Sequence, residues 1–390
     1  MRTRICEMFG IEFPIFAFSH CRDAVAAVSR AGGFGVLGAV AFSPEQLEIE
    51  LAWLDAHVGG KPYGVDIVMP ASLAGAEQGG GIDKAQFEAM IPEGHRRFVG
   101  EVLARHNVPP LPQGESAHEP LLAWTHAGAR SQVDIVLSHP IKLLVNALGT
   151  PPSDVIAKVH ASGVLVGALV GTAEQARRQV AAGVDVIVAQ GSEAGGHTGE
   201  IGTMVLVPDV VDAVHPTPVL AAGGIGCGRQ VAAALALGAD GVWTGSVWLT
   251  VSESDLHPVA VKKLLAATAR DTVRSRSMTG KPARQLRTPW TEAWDSPTSP
   301  GTLPMPLQFM LNADALTRIH RYAHAEQYGA KDLIGSPVGQ IVGRMKAVRP
   351  ARDVIYDMVN EFVDAVTRMS DALAAGSEER PAAPALSKTD

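Results

Sequence analysis

One short segment of the sequence combines a titratable side chain with several of the smallest residues. It runs from Gln190 to Gly199 and follows an apolar, β-branched stretch, so it belongs to the loop after a buried strand. Gln190 can donate and accept hydrogen bonds, and His197 has the one side chain here whose usual pKa suits proton transfer near neutrality. Gly195 and Gly196 leave room for a planar ring against the backbone. The segment therefore predicts a cofactor site with His197 as catalytic acid or base.

Two glycine-containing segments further along the chain have the form of a phosphate site. Gly223 and Gly224 lie between an apolar stretch and a helical pattern, where backbone N–H groups can meet an anion. Barrels build such sites after their last two strands, and a second segment ends the next apolar stretch. Each segment alone is equally compatible with a tight strand-to-helix connection, but the pair favours phosphate binding. The second segment consists of Trp243, Thr244, Gly245 and Ser246.

The other candidate residues have simpler explanations. Glu193 could be a base, but a carboxylate at this position is at least as often the cap of a following helix. Cys227, beside the glycine loop, is expected to be a small buried thiol. The remaining histidines lack metal-ligand spacing and no Gly-Xaa-Ser-Xaa-Gly segment occurs, so we expect neither a metal site nor a serine nucleophile.

These loops need a regular scaffold, and the sequence repeats a strand–turn–helix unit. Several of the strand-like stretches are apolar throughout, as in strands that are covered on both faces. Regular repetition favours a closed (β/α)8 TIM barrel over a doubly wound open sheet, which has fewer strands. The predicted strands are Phe13–Phe18, Phe34–Val40, Tyr63–Met69, Lys142–Ala147, Gly163–Val170, Val184–Gln190, Pro218–Gly223 and Gly241–Ser246.

The predicted barrel is interrupted once and extended once. Residues 1–69 and 131–255 are predicted to form the cofactor-binding barrel, and residues 70–130 a long inserted helical and loop region after the third strand. Residues 256–374 are predicted as a C-terminal helical region packing on the barrel, and residues 375–390 as a disordered tail. The predicted outer helices are Ala24–Ala31, Glu45–His57, Ser153–Ala161, Ala173–Ala182 and Gly228–Leu237.

Composition bears on the partners and the compartment. The 390 residues are 46% hydrophobic and carry a formal net charge of -7, so neither nucleic acid nor an anionic membrane is an expected partner. The three cysteines are far apart and odd in number, which favours a reducing compartment. Without a signal peptide or a membrane-spanning stretch, we expect a cytoplasmic protein.

The sequence resembles the nitronate monooxygenase family, formerly called 2-nitropropane dioxygenases, which includes the FMN-dependent enoyl-ACP reductases of bacteria. Glu193–Gly199 is the most specific match, and Thr279–Arg284 is similar to the family's Thr-Gly-Arg-Pro-Ala-Arg segment. The resemblance implies FMN as cofactor, with Gln190 and Gly195 near the flavin and His197 as the acid or base above its ring. It also places the phosphate at a set of residues around the second glycine loop. That set consists of Gly224, Trp243, Thr244, Gly245 and Ser246.

Two positions depart from the family pattern where residues ordinarily face the flavin. The first strand ends in Ala17, Phe18, Ser19 and His20 where the family has a Pro-Met pair. The third strand has Asp66 where the family has Asn. A carboxylate at Asp66 would bring a negative charge near the ring and disfavour an anionic reduced flavin.

The leading functional expectation is the oxidation of alkyl nitronates by FMN and O₂, with His197 as base toward a nitroalkane or as a group that positions the nitronate. An alternative is an NAD(P)H-dependent reductase or dehydrogenase of an enone, quinone or acyl thioester. Further alternatives are a phosphate-ligand barrel without redox chemistry and an inactive barrel that serves as an interaction module. The expected partners are a small-molecule substrate, O₂ or NAD(P)H, and the chain could form a homodimer.

Overall fold

The structure is a computed structural model that describes residues 1–69, 84–115 and 126–378. Eight parallel strands close into a barrel, and consecutive strands pair with each other around it. The predicted (β/α)8 barrel is thus confirmed, and each strand overlaps one predicted stretch. The barrel strands are β1 (Ile15–Ser19), β2 (Phe34–Gly38), β3 (Tyr63–Ile67), β4 (Leu143–Asn146), β5 (Leu165–Val170), β6 (Val186–Gln190), β8 (Val219–Ala222) and β9 (Gly241–Thr244).

Helices cover the outside of the barrel and continue beyond it. None of those in the described ranges combines the length and hydropathy that crossing a membrane requires. They are α1 (Arg4–Phe9), α2 (Arg22–Arg30), α3 (Pro44–His57), α4 (Lys84–Ala89), α5 (Glu93–Arg105), α6 (His126–Leu137), α7 (Ser153–Ala161), α8 (Ala173–Ala181), α9 (Thr203–Val214), α10 (Gly228–Ala236), α11 (Pro258–Ala266), α12 (Pro289–Asp295), α13 (Leu307–Tyr322), α14 (Ala330–Leu333) and α15 (Ala351–Glu378).

Alternating side chains of the strands divide into two layers. One set packs between strands and helices, and the other fills the barrel interior together with α1. Phe9 of α1 meets Phe16 and Phe34 edge to face, with ring centroids 5.3 and 4.9 Å apart. Since α1 contributes to the core beneath the barrel interior, the carboxyl ends of the strands are the end at which a site is expected.

The chain after β3 and the chain after β9 pack together in a second core. Phe98 of α5 meets Trp294 of α12 edge to face at 4.9 Å, and Leu311 of α13 belongs to the same cluster. Parts of the predicted insertion, residues 70–83 and 116–125, lie outside the described residues. The helix α6 begins at His126 and packs against α3, so a barrel helix starts before the predicted boundary at residue 130. The division into domains stays a prediction.

The C-terminal region contains a feature that the helical prediction missed. A small antiparallel sheet has the order β10 (Thr272–Ser275), β11 (Ala283–Leu286), β7 (Gly196–His197). It ties the segment after the barrel to the loop after β6. The predicted tail, 375–390, is helical as far as Glu378, because α15 continues to that residue, and the remainder lies outside the described residues.

Candidate active site

Strand register decides which predicted residues face the barrel interior. Asp66 alternates with two outward-facing neighbours on β3, so its side chain points into the barrel. The same alternation directs Phe18, Gln190 and Trp243 inward. The rings of Phe18 and Trp243 lie 6.2 Å apart at 27°. The upper end of the barrel therefore presents a carboxyl group, an amide and an aromatic surface.

Three predicted residues lie at the same strand ends but direct their side chains elsewhere. Ala17 packs in the outer layer between strands and helices. The Ser19 hydroxyl accepts a hydrogen bond from a backbone amide two residues on, at 3.1 Å. The Thr244 hydroxyl donates to the carbonyl oxygen of Phe16 at 2.8 Å and accepts from an indole N–H at 3.0 Å. These three side chains do not line the interior, and only their backbones remain for contact with a ligand there.

His197 is held on β7 by pairing with β11. Its Nε2 lies 2.7 Å from the hydroxyl of Thr279, in the segment just before that strand. Burial, and secondly the charge of Lys281, lower the pKa of His197 to about 4. Burial also lowers the pKa of Lys281. The imidazole is therefore neutral at pH 7 and lies close to a partly buried cation.

The chain between β11 and α15 holds the loop after β6 in place. The backbone N–H of Gln340 donates to the carbonyl of Glu193 at 2.9 Å, and that of Gly339 donates to the Ser246 hydroxyl at 2.8 Å. A Cβ at Gly195 would lie 2.8 Å from the backbone of this segment. Gly195 is thus required for close packing of two backbones. At Gly196, with φ of 76°, the corresponding space is open.

Glu193 acts as a structural cap. Its carboxylate accepts hydrogen bonds from the backbone N–H of Thr203 at 2.9 Å and from its hydroxyl at 2.8 Å. These contacts hold the first residue of α9, which satisfies an otherwise unpaired helix N-terminus. Of the two explanations open for Glu193, the structure supports the cap.

The glycine loop offers donors for an anion, although not at the helix end itself. Gly223 and Gly224 adopt φ of 107° and 68°. The first amide of α10, at Gly228, already donates to the carboxylate of Glu361 on α15 at 2.9 Å. That amide is therefore not free to bind an anion, and the predicted phosphate site stays a prediction. The donors that stay available lie in the loop before it.

These loops can accommodate the phosphate of a flavin nucleotide. Within the described ranges, nothing accepts a hydrogen bond from the backbone N–H of Gly224 or Gly245. No atom lies within 4 Å of where a Cβ at Gly245 would be. The Ser246 hydroxyl, which accepts from Gly339, keeps its own proton to donate. Inside the barrel, Asp66 Oδ1 is buried without a hydrogen-bond partner among the described residues. The open space at Gly245 and the unused polar atoms at both places fit the cofactor.

Two residues beside His197 were not predicted to belong to the site. Thr279 and Lys281 are separated from His197 by about 80 residues of sequence. The pairing of β11 with β7 brings all three residues together. Both residues belong to the segment Thr279–Arg284, which also carries part of the family resemblance. A basic residue in a motif that matches a flavin enzyme was the available clue.

A closed parallel barrel with a buried histidine and a glycine-rich anion loop at one end has the features of a cofactor-dependent barrel enzyme. The sequence model of the nitronate monooxygenase family matches residues 2–361, and the chain belongs to that family. It is therefore an oxidoreductase that uses a flavin.

Relatives from several bacteria support the assignment. Rv1533 of Mycobacterium tuberculosis, which bears the name of a monooxygenase, is 58% identical over 95% of this chain and 98% of its own. A Staphylococcus aureus (strain Newman) protein that bears the name of a nitronate monooxygenase is 30% identical over 93% of this chain and 97% of its own.

Two solved structures share the fold across the whole length. The nitroalkane oxidase of Streptomyces ansochromogenes has a TM-score of 0.74 at 26% identity, covering 94% of this chain and 99% of that one. FabK of Thermotoga maritima has a TM-score of 0.70 at 28% identity, and the match covers 95% of this chain and 99% of that one.

Proposed function

We propose that this protein is an FMN-dependent monooxygenase that oxidises alkyl nitronates with O₂. The observation that carries the proposal is the neutral imidazole of His197, bonded to Thr279 and close to the cation of Lys281. An anionic substrate suits this arrangement, because Lys281 supplies the opposite charge and the imidazole supplies a hydrogen bond without competing for a proton.

The low pKa of His197 supports one of the two roles considered for it. A general base is most effective when its pKa lies near the working pH. A group with a pKa of about 4 is a weak base toward a neutral nitroalkane at pH 7. We therefore assign His197 to positioning a nitronate that is already an anion, with Thr279 fixing the orientation of the ring.

The choice of FMN rests on the two glycine-containing loops. Gly224, Gly245 and Ser246 would hold its phosphate through two backbone N–H groups and a hydroxyl. Gln190 and Trp243 would contact the ring from the interior, together with Asp66. When bound, the flavin supplies the redox chemistry, accepting electrons from the substrate and passing them to O₂.

A second candidate is an NAD(P)H-dependent reductase of an enone, quinone or acyl thioester. The similarity to FabK over 95% of the chain favours it, because that match is almost as close as the match to the nitroalkane oxidase. In such a reaction the neutral His197 would donate a hydrogen bond to the substrate carbonyl. The two functions use one site and differ in the electron donor.

Oxygen uptake with propyl nitronate, in the absence of pyridine nucleotide, tests the proposal. We expect uptake by the wild type, and a kcat/KM lower by about 10²-fold or more in His197→Ala with FMN still bound. His324→Ala, at an exposed position of the C-terminal region, is the matched control and should be unaffected. A flavin-loaded wild type that consumes no oxygen with the nitronate would contradict the proposal.

We also propose that the protein is cytoplasmic and forms a homodimer. The three cysteines are free and buried, which supports a reducing compartment such as the cytoplasm. A homodimer is supported by an apolar stripe on α15, since exposed apolar patches mark protein contacts. The stripe consists of Tyr356, Val363, Val366, Met369 and Leu373, each at least 41% exposed.

A further inference from the structure

Asp66 is the one acidic side chain that β3 directs into the barrel. It is 4% exposed, and strand register places Gly38 of β2 and Val145 of β4 on either side of it. Its Oδ1 has no hydrogen-bond partner among the residues that the structure describes. Buried polar atoms are nearly always paired in proteins, so an unpaired one that points into a site indicates a missing ligand.

Among the described residues, none supplies a charge that affects the pKa of Asp66. Neither Gly38 nor Val145 is titratable, and α2 and α6 pack on the outer face of the barrel. The imidazole of His20, which follows β1, is bonded through Nδ1 to the carbonyl of Gly38 at 2.8 Å. Burial raises the pKa of Asp66 well above its usual range, and a hydrogen bond from the Ala147 amide opposes this only in part.

We propose that Asp66 is held as a neutral carboxylic acid and that its carboxyl group, whose Oδ1 is unpartnered among the described residues, hydrogen-bonds the polar edge of the flavin ring. A carboxylic acid has one O–H donor and a carbonyl acceptor, which are the two functions of a side-chain amide. Asp66 therefore replaces the family's Asn at this position without adding charge. The inference relies on the flavin of the proposed function, but it does not depend on which substrate is oxidised.

This assignment overturns the expected electrostatic effect of Asp66. An ionised carboxylate beside the ring would oppose the negative charge of a reduced flavin and lower its potential. A neutral acid has no such effect. The flavin potential should therefore be the same with Asp or Asn at residue 66, and the departure from the family pattern is compatible with the ordinary chemistry of the family.

The test compares Asp66→Asn and Asp66→Ala with the wild type by FMN affinity, flavin midpoint potential and infrared spectroscopy. Asp66→Asn should keep the FMN Kd at pH 7 within about threefold and the potential unchanged, whereas Asp66→Ala should weaken FMN binding by about tenfold. As the pH is raised, the wild type should lose FMN affinity when Asp66 ionises, and Asp66→Asn should not. Asp134→Asn, an exposed aspartate on α6, is the control and should match the wild type.

Infrared spectra report the protonation state of Asp66 directly, whether or not the enzyme is active. The wild type without FMN at pH 7 should show the C=O band of a protonated carboxylic acid that Asp66→Asn lacks and Asp134→Asn retains. A carboxylate band for Asp66, or a changed flavin potential in Asp66→Asn, would overturn the proposal. If these results hold while nitronate oxidation is absent, only the proposed substrate is wrong.

Discussion

At the residue scale, the site depends on the hydrogen bond between Thr279 and His197. Thr279→Val keeps the shape of the side chain and removes the hydroxyl 2.7 Å from Nε2. Loss of this bond should lower kcat/KM for the nitronate by about tenfold, the equivalent of about 1.4 kcal/mol. Thr279→Ser keeps a hydroxyl and should stay within about threefold of the wild type in steady-state kinetics. Equal losses in the two variants would show that the hydroxyl does not orient His197.

The low pKa of His197 also predicts how stability varies with pH. Between about pH 4 and 6.5 the unfolded chain binds a proton at this histidine that the folded protein does not. The free energy of unfolding should therefore fall as the pH falls through this window, by up to about 3 kcal/mol from this residue. Chemical denaturation of the wild type and His197→Gln at several pH values measures the difference. Parallel pH dependences would mean that the histidine has the same pKa in the folded protein as in the unfolded chain.

At the element scale, the apolar stretches were sufficient to predict the barrel. Strands such as β3 and β6 are buried on both faces, and their β-branched composition marks them in the sequence. The sheet of β7, β10 and β11 was missed because its strands have two to four residues, too few for a period to show. It pairs β7 with a strand more than 80 residues away along the chain, and a local pattern carries no information on such a contact.

The same limit explains why the sequence analysis grouped Ala17 with Phe18, although the two side chains lie on opposite faces of β1. Asp66, Phe18 and Trp243 were located at strand ends, and the structure turns their side chains inward. Ala17 lies at an equivalent strand end but faces the helices. A shift of one residue in register reverses every side chain of a strand, and the sequence alone did not fix that register.

The loop at Gly245, proposed to hold the phosphate, can be tested at this scale. A Cβ at Gly245 would occupy open space, and the backbone there has a negative φ of -126°, so Gly245→Ala should fold normally. It should still weaken FMN binding by about tenfold or more, because the methyl group occupies the space proposed for the phosphate. Gly94→Ala on α5 also enters open space and should keep full affinity. Fluorescence titration with FMN distinguishes the two, and unchanged affinity in Gly245→Ala would exclude this loop from the cofactor site.

At the scale of the whole molecule, α15 connects the cofactor site to the proposed dimer contact. Glu361 accepts a hydrogen bond from the first amide of α10, and the apolar stripe runs along the same helix from Tyr356 to Leu373. Val363 and Leu373 are 51% and 77% exposed, so replacing both by Asp should leave the fold intact. Light scattering after size exclusion should give a dimer for the wild type and a monomer for this variant. A monomeric wild type would refute the assembly.

The central claim is that the nitronate anion is the electron donor of this enzyme, and anaerobic flavin reduction tests it most directly. The FMN-loaded protein is mixed without oxygen, in parallel, with propyl nitronate, NADH and NADPH, and the flavin absorbance is followed. We predict bleaching by the nitronate alone, slowed in His197→Ala by the factor seen in turnover. Bleaching by a pyridine nucleotide and none by the nitronate would contradict the account and identify the protein as a reductase.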